Sequence, residues 1–323
     1  MTATAIEKEG YRCEFCEGAC EDRYEVQLGR HTSRMFRCPS CETCQLDPMF
    51  SEASVQEYYE TSYFSREHWQ VRRSDLLAKD YVKLIQGDLQ FANGLKILEI
   101  GAGYGYFAQQ LGERLKTTVD IVEPSRDCVE FVQSNWKNVH WVGADLTAAG
   151  ESPIYDAIFL FHVAEHFQRL GSFLDQAARL LNPGGKIFIL TPNGSSATFA
   201  AYREGWIWAC PNQHYQFLSS RIPTEWFAKR SLRVFSARDR IPHWVSFPGR
   251  WLSWLQRAVS RSKQLPTFRN KIGNWLLNQL RRVAVLLLSG NRYPYGLLPF
   301  ERSLASLRKG PQDELYLILQ RHT

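Results

Sequence analysis

The segment Ile97-Leu98-Glu99-Ile100-Gly101-Ala102-Gly103-Tyr104-Gly105-Tyr106-Phe107 narrows the choice of folds more than any other part of the chain. An apolar strand runs into three glycines at alternate positions, and a helical pattern continues through Leu115. Such a turn admits a ligand against backbone that a Cβ would obstruct, and the helix N-terminus beyond it offers free N–H donors. Strand, glycine turn and helix together open a doubly wound α/β sheet. A glycine turn alone serves NAD, FAD or close packing equally, so the acidic residues around it decide. Glu99 stands just before the glycines. The next apolar strand, Thr118-Val119-Asp120-Ile121-Val122-Glu123, ends in a carboxylate, where such a sheet presents an acceptor to ribose hydroxyls.

Further segments follow in order: Gly143-Ala144-Asp145-Leu146, then Tyr155 through His166 with its Val163-Ala164-Glu165-His166 end, then Leu180-Leu181-Asn182-Pro183-Gly184-Gly185 leading into the strand that closes at Asn193. With Leu98 to Gly103 and Glu123-Pro124-Ser125, this series resembles the class I S-adenosylmethionine-dependent methyltransferases. The resemblance implies an α/β fold with a Rossmann-like seven-stranded sheet and S-adenosyl-L-methionine as cofactor. It implies that Glu99 orients the methionine portion beside the cofactor-binding glycines Gly101, Gly103 and Gly105, that Glu123 binds ribose, and that Asp145 and Leu146 meet the adenine. His162 is a candidate wall of the same pocket. Leu232-Arg233-Val234-Phe235-Ser236 and Glu314 through Gln320 match the sixth and seventh strands, which pair antiparallel in this fold. Residues 241–312 are then an insertion between them, longer than an ordinary connection.

Six of the eight cysteines fall within the first 44 residues. Cys13-x2-Cys16 and Cys38-x2-Cys41 are separated by 21 residues, the spacing of a zinc ribbon in which two knuckles give four thiolates around one structural ion. Tyr24 to Leu28 and Arg34 to Arg37 are the strands of the expected hairpin. Cys20 and Cys44 are surplus to that set, and Cys128 and Cys210 are expected to be buried filler. Cys38-Pro39-Ser40-Cys41, Asp47-Pro48, Tyr58-Tyr59 and Tyr63-Phe64 resemble the front of a bacterial subgroup that joins a zinc ribbon to this domain, associated with surface polysaccharides or secondary metabolites. The expected division is a ribbon over 1–52, a helical connector or lid over 53–92, the cofactor-binding domain over 93–240, the insertion over 241–312 and the last strand over 313–323.

The charge is regional. The chain carries a formal +6, yet residues 240–292 hold ten Lys or Arg and no Asp or Glu, which leaves the remainder acidic. Within that basic section Trp251, Leu252, Trp254, Leu255, Ala258 and Val259 fall on one helical face with Arg250, Arg257 and Arg261 on another. Ile272, Trp275, Leu276, Leu280, Val283 and Leu287 repeat the pattern. Such helices either pack on the catalytic domain or lie on an anionic membrane surface. No run is apolar for long enough to cross a bilayer, and residues 1–10 lack an export segment, so the expectation is a cytoplasmic protein, with peripheral contact at the inner membrane face as the alternative.

A methyl acceptor that is a hydroxyl must lose a proton, and histidine is suited to take it. The candidates are His162 and His166 in the loop after the fourth strand, and His214 in the segment Trp206 to Tyr215. Each has a structural alternative, as a loop brace or a pocket wall. The leading expectation is methyl transfer to oxygen of a small hydroxylated, sugar-like or glycolipid acceptor. An RNA substrate is the second reading, but seven acidic residues between Glu7 and Glu25 make the ribbon a poor nucleic-acid surface. A noncatalytic binding protein is the third.

Overall fold

The computed structural model describes residues 11–28, 31–47, 68–89, 94–152, 154–202, 208, 214–240 and 313–322. Eleven strands and six helices are named in chain order below. The front of the expected helical connector, residues 53–67 with the aromatic group Tyr58, Tyr59, Tyr63 and Phe64, both basic helices expected in the 241–312 insertion, and Cys210 lie outside the described residues.

Seven strands form the main sheet. β4 (Ile97–Ile100), β5 (Val119–Val122), β6 (Val139–Gly143), β7 (Tyr155–Phe161) and β8 (Leu181–Pro192) are parallel, and β11 (Glu314–Arg321) runs antiparallel between β8 and β10 (Leu232–Arg240). The order is β10-β11-β8-β7-β4-β5-β6, so the expected antiparallel pairing of the last two strands is present and residues 241–312 connect them. The sheet is covered on both sides, which is why its strands are nearly continuous apolar runs. Alternate residues divide between two cores. Leu98, Ile158, Leu160, Ile187, Ile189, Leu315 and Leu317 face one, with Leu170, Leu174 and Ala177 of α4 (Leu170–Leu180). Ile97, Ala157, Phe159, Phe188, Leu190, Tyr316 and Ile318 face the other. There they meet Phe107, Leu111 and Leu115 of α2 (Tyr106–Leu115) and Ala78, Val82 and Ile85 of α1 (His68–Ile85), three α1 positions that share a helical face. α3 (Arg126–Asn135) follows β5.

Chain direction across the sheet reverses at β4. From β4 the chain winds outward through β5 and β6, then returns to β7 on the other side of β4. The carboxyl ends of β4, β5 and β7 therefore open on a switch point, where ligands of such sheets bind.

A second, antiparallel sheet holds β1 (Glu21–Leu28), β2 (His31–Arg37) and β3 (Cys44–Asp47). Both hairpin strands begin earlier than the alternation in the sequence suggests. Its fourth strand is β9 (Gln216–Phe217), contributed by the chain between α5 (Ala197–Tyr202) and α6 (Thr224–Ala228). Met35, Cys44, Leu46, Phe199, Tyr215 and Phe217 close a small core between the two parts. Cys13, Phe15, Cys38 and Cys41 belong to the main core, and the Phe15 ring lies 4.8 Å from that of Trp226 in α6. Among the described residues no helix is long and apolar enough to cross a membrane.

Candidate active site

A cavity of about 640 Å³ opens at the carboxyl ends of β4, β5 and β7. Its floor is the glycine turn. Gly101, Gly103 and Gly105 have φ of 66°, 55° and 69°, left-handed values that favour glycine. A Cβ on Gly101 would stand 2.6 Å from Val163 Cγ2, so substitution there meets both strain and collision.

Two buried carboxylates bracket the turn. Glu123 Oε2 accepts from the Gly103 N–H at 2.7 Å and Oε1 accepts from the Ser125 N–H at 2.8 Å. Burial still pushes its pKa up to about 7, the two N–H groups offsetting only part of the desolvation. Glu99 Oε2 accepts from the Ala108 N–H at 3.0 Å, and burial, with the charge of Glu123 added, pushes it up to about 8. Each carboxylate oxygen carries a second lone-pair site. Both groups line the cavity, so a ligand bringing hydroxyls or positive charge answers their desolvation. Asp145 and Leu146 form another part of the wall. The Asp145 side chain accepts from Thr147 N at 2.9 Å and caps the short 3-10 turn Leu146–Ala149, which holds its carboxylate at the rim.

The opposite wall is built from the loop after β7. His162 follows that strand with φ of 56°, an uncommon conformation for a residue with a Cβ, and its ring stacks on Trp208 at 4.9 Å. Its Nδ1 lies 3.5 Å from Glu165 Oε1 and its Nε2 3.5 Å from Glu314 Oε1. Burial alone would lower this imidazole, but the two carboxylates outweigh it and raise the pKa to about 9. Glu165 is fully buried and accepts from Thr191 Oγ1 at 2.9 Å. Burial pushes its carboxyl up, and His162, His166 and His214 around it more than reverse that, leaving it at about 2. His166 lines the cavity, and its ring centroid is 4.8 Å from that of His214. His214 itself is absent from the described wall and stands behind His166, 5% exposed, with burial and then the charge of His166 holding it down at about 4.

Several wall residues carry no signal in the sequence. Arg240 and Glu314, at the two ends of the insertion, pair at 3.3 Å, and Arg240 also reaches Asp80 of α1 at 2.7 Å. They meet because the antiparallel register sets Arg240 opposite Glu314, a consequence of β10-β11 pairing across 74 residues.

Away from the cavity, Cys13, Cys16, Cys38 and Cys41 come together with all four Sγ atoms within 4.8 Å of one another. Cys13 Sγ and Cys41 Sγ are 3.5 Å apart, and Cys16 Sγ and Cys38 Sγ 3.3 Å. Tetrahedral thiolates at about 2.3 Å from one ion would be about 3.8 Å apart, so this set can hold a metal. The two knuckles repeat one geometry. The residue after each second cysteine, Glu17 and Glu42, is left-handed, with φ of 60° and 59°, and donates its N–H to the carbonyl of the first. Cys44 is packed in the small core and Cys20 is half-buried beside the knuckle, and neither belongs to the four. Cys128 is buried, as expected.

Residues 69–237, just over half the chain, match the methyltransferase domain family. The chain belongs to that family. This methyltransferase domain is 28% identical over 117 residues to the mitochondrial ubiquinone biosynthesis O-methyltransferase of Mus musculus, which covers 33% of this chain and 31% of that protein. It is 27% identical over 153 residues to the ubiquinone biosynthesis O-methyltransferase of Methylocella silvestris, covering 44% of this chain and 59% of the relative. The match thus spans less than two thirds of either relative. Phosphoethanolamine N-methyltransferase 2 of Haemonchus contortus, solved with phosphomonomethylethanolamine and S-adenosylhomocysteine, superposes with a TM-score of 0.51 over 93% of this chain and 72% of that one. At 13% identity this likeness concerns the fold of the methyltransferase domain alone.

Proposed function

We propose that the chain transfers a methyl group from S-adenosylmethionine to the oxygen of a small hydroxylated acceptor. The observation that carries this reading is the pair of buried carboxylates, Glu99 and Glu123, facing the cavity on either side of a left-handed glycine turn. A nucleoside brings two ribose hydroxyls to the free lone pairs of Glu123, and a methionine portion brings an ammonium to the acidic end of β4. The Asp145 carboxylate is set to accept from an adenine amino group beside Leu146. The bound cofactor supplies an electrophilic methyl on a sulfonium, so the protein's tasks are alignment, exclusion of water and handling of the acceptor's proton. His166, on the wall and backed by Glu165 and His214, is the group placed to handle that proton, with His162 and Trp208 as a fixed flat surface beside it. The relatives named for O-methylation support oxygen as the target.

The four-cysteine cluster is proposed to hold a structural zinc ion, with Cys13, Cys16, Cys38 and Cys41 as a closed ligand set, and residues 1–52 to act as a ribbon bracing the acceptor side. Incubating the full chain with methyl-labelled S-adenosylmethionine and a panel of phenols and sugars, with transfer read by mass spectrometry, tests the activity. Folded, zinc-loaded protein that binds no cofactor at millimolar concentration would overturn it.

A further inference from the structure

Charged side chains of alternating sign run beside the cavity from α1 to the loop after β7. Asp80 pairs with Arg240 at 2.7 Å, Arg240 with Glu314 at 3.3 Å, Glu314 with His162 at 3.5 Å and His162 with Glu165 at 3.5 Å. Burial would discharge His162, but the two carboxylates beside it outweigh that and hold it at about 9. Glu314 is the joint of the chain: Oε2 meets Arg240, Oε1 meets His162, and the side chain is 4% exposed.

Arg240 is the single Lys or Arg among the described residues that line the cavity, which would suit it to an anionic ligand. Its pairing argues otherwise. The guanidinium forks between two carboxylates on different elements, one on α1 and one at the start of β11. A planar fork with both arms engaged fixes the groups it holds relative to each other. β10 reinforces the grip, because Arg238, two residues earlier on the same face, pairs with Asp88 just beyond α1.

Both sides of the fork belong to the cavity. The turn of α1 that carries Asp80 sets Leu77, Ala78 and Tyr81 into the wall. Opposite, Glu314 and Glu165 bracket the His162 imidazole from its two nitrogens while the ring lies on Trp208. The Tyr81 and His162 rings are 6.3 Å apart between centroids, so the two sides close on one space.

We propose that Arg240 is a positioning residue for methyl transfer, one that fixes the α1 wall against the His162–Trp208 surface through Asp80 and Glu314. This role rests on the methyl-transfer reading above. Without the guanidinium, two neighbouring carboxylates lose the cation they share, and the buried Glu314 cannot recover that loss from water. The walls then part, while the glycine turn and its own carboxylates are untouched.

In the full chain, Arg240→Met should bind S-adenosylmethionine at parental stoichiometry by calorimetry, which reports an intact fold. It should release the cofactor about 10-fold faster in stopped-flow fluorescence, and kcat should fall about 100-fold, as for a wall displaced by about 1 Å. Arg240→Lys keeps the charge without the fork and should fall between variant and parent. Asp80→Asn removes the same link from its more exposed end, so release from the double variant should be no faster than from Arg240→Met alone. A readout without cofactor comes from magnetic resonance of isotope-labelled histidine. The His162 ring signals, identified by their loss in His162→Gln, should shift in both Arg240→Met and Glu314→Gln, while those of His140, paired with Asp120 away from the wall, stay in place. Such shifts in a protein whose parent binds no cofactor would overturn the methyl-transfer reading and the positioning role with it. Absent shifts, or a lowered Tm with release and kcat at parental values in Arg240→Met and Asp80→Asn, would overturn the positioning role alone.

Discussion

The backbone N–H of Leu46 donates to the carbonyl of Tyr215 at 2.8 Å, which ties the cysteine-rich sheet to the segment that carries His214. Tyr215 in turn donates its own N–H to the Glu165 carbonyl at 2.8 Å, and Gln216 Nε2 donates to the Ala164 and Phe167 carbonyls at 3.1 and 2.8 Å. Ser219 Oγ closes the far end on the Cys41 carbonyl at 2.6 Å. β9 is therefore held from one side by the Cys38–Cys41 knuckle and from the other by the loop bearing His166.

Loss of the zinc proposed for the four-cysteine cluster should consequently impair catalysis at a distance. Structural zinc contributes folding free energy on the order of 10 kcal/mol in small domains, so Cys13→Ser or Cys38→Ser should lose metal and loosen β3. Displacing a wall by about 1 Å costs about 100-fold in rate, whereas the glycine turn lies outside this linkage. The expected result is a large fall in kcat with cofactor affinity changed only slightly, measured by elemental analysis, methyl-transfer assay and calorimetry. A cysteine variant without metal but with parental kcat would show that the ribbon does not support the site.

Cofactor binding should fail from the other direction. Gly103→Arg fills the turn and imposes a side chain on a φ of 55°, and calorimetry should detect no binding. Glu123→Gln keeps the shape but cannot accept from the Gly103 and Ser125 N–H groups and two ribose hydroxyls as a carboxylate does. Loss of charge-assisted hydrogen bonds of about 1.5–3 kcal/mol corresponds to about 10- to 100-fold weaker binding.

The difference between these two regions also marks what the sequence made legible. Glu99, the glycines and Glu123 are visible because strand, turn and carboxylate are contiguous and each residue type has a local reason to be where it is. β10 and β11 were readable as two strand-like runs, and their antiparallel pairing followed from the resemblance to the methyltransferase fold. By contrast, β9 is a two-residue strand whose partner β3 lies far away in sequence, and neither residue has a strand-like pattern around it. The meeting of Arg240 with Glu314, and of His166 with His214, depends on register and long-range pairing that periodicity does not encode. His214 was a candidate for acceptor contact with a structural role in its loop as the alternative, and it stands behind His166.

His166→Ala should lower kcat by about 10²- to 10⁴-fold, the usual contribution of a group that handles a proton in the transition state. Cofactor affinity should stay near the parental value, because the proposed role of His166 is toward the acceptor and not toward the cofactor. Single-turnover methyl transfer separates the two quantities, and an unchanged rate would reduce His166 to a loop brace.

The last expectation concerns stability without cofactor. Glu99 and Glu123 have ordinary values of 4.5 but folded values of about 8 and about 7, so their contribution is full below pH 4.5 and is lost as pH rises through the folded values. His162, raised from 6.5 to about 9, acts in the same sense above pH 6.5. His214, lowered from 6.5 to about 4, opposes them between those values and becomes constant above pH 6.5. Glu165, at about 2, changes only in acid below pH 4.5. Between pH 6.5 and 8 the shifts of these groups therefore act in one direction. With each titrating group worth up to about 1.4 kcal/mol per pH unit, the protein should lose a few kcal/mol, roughly, and its Tm should fall across that span. Saturating cofactor should flatten the decline, since ribose hydroxyls stabilise the ionised Glu123, and Glu99→Gln should flatten it without cofactor by removing a titrating group. Thermal unfolding in overlapping buffers reads all three curves. A Tm that holds or rises from pH 6.5 to 8 in the cofactor-free parent would mean that neither carboxylate is held protonated against the glycine turn.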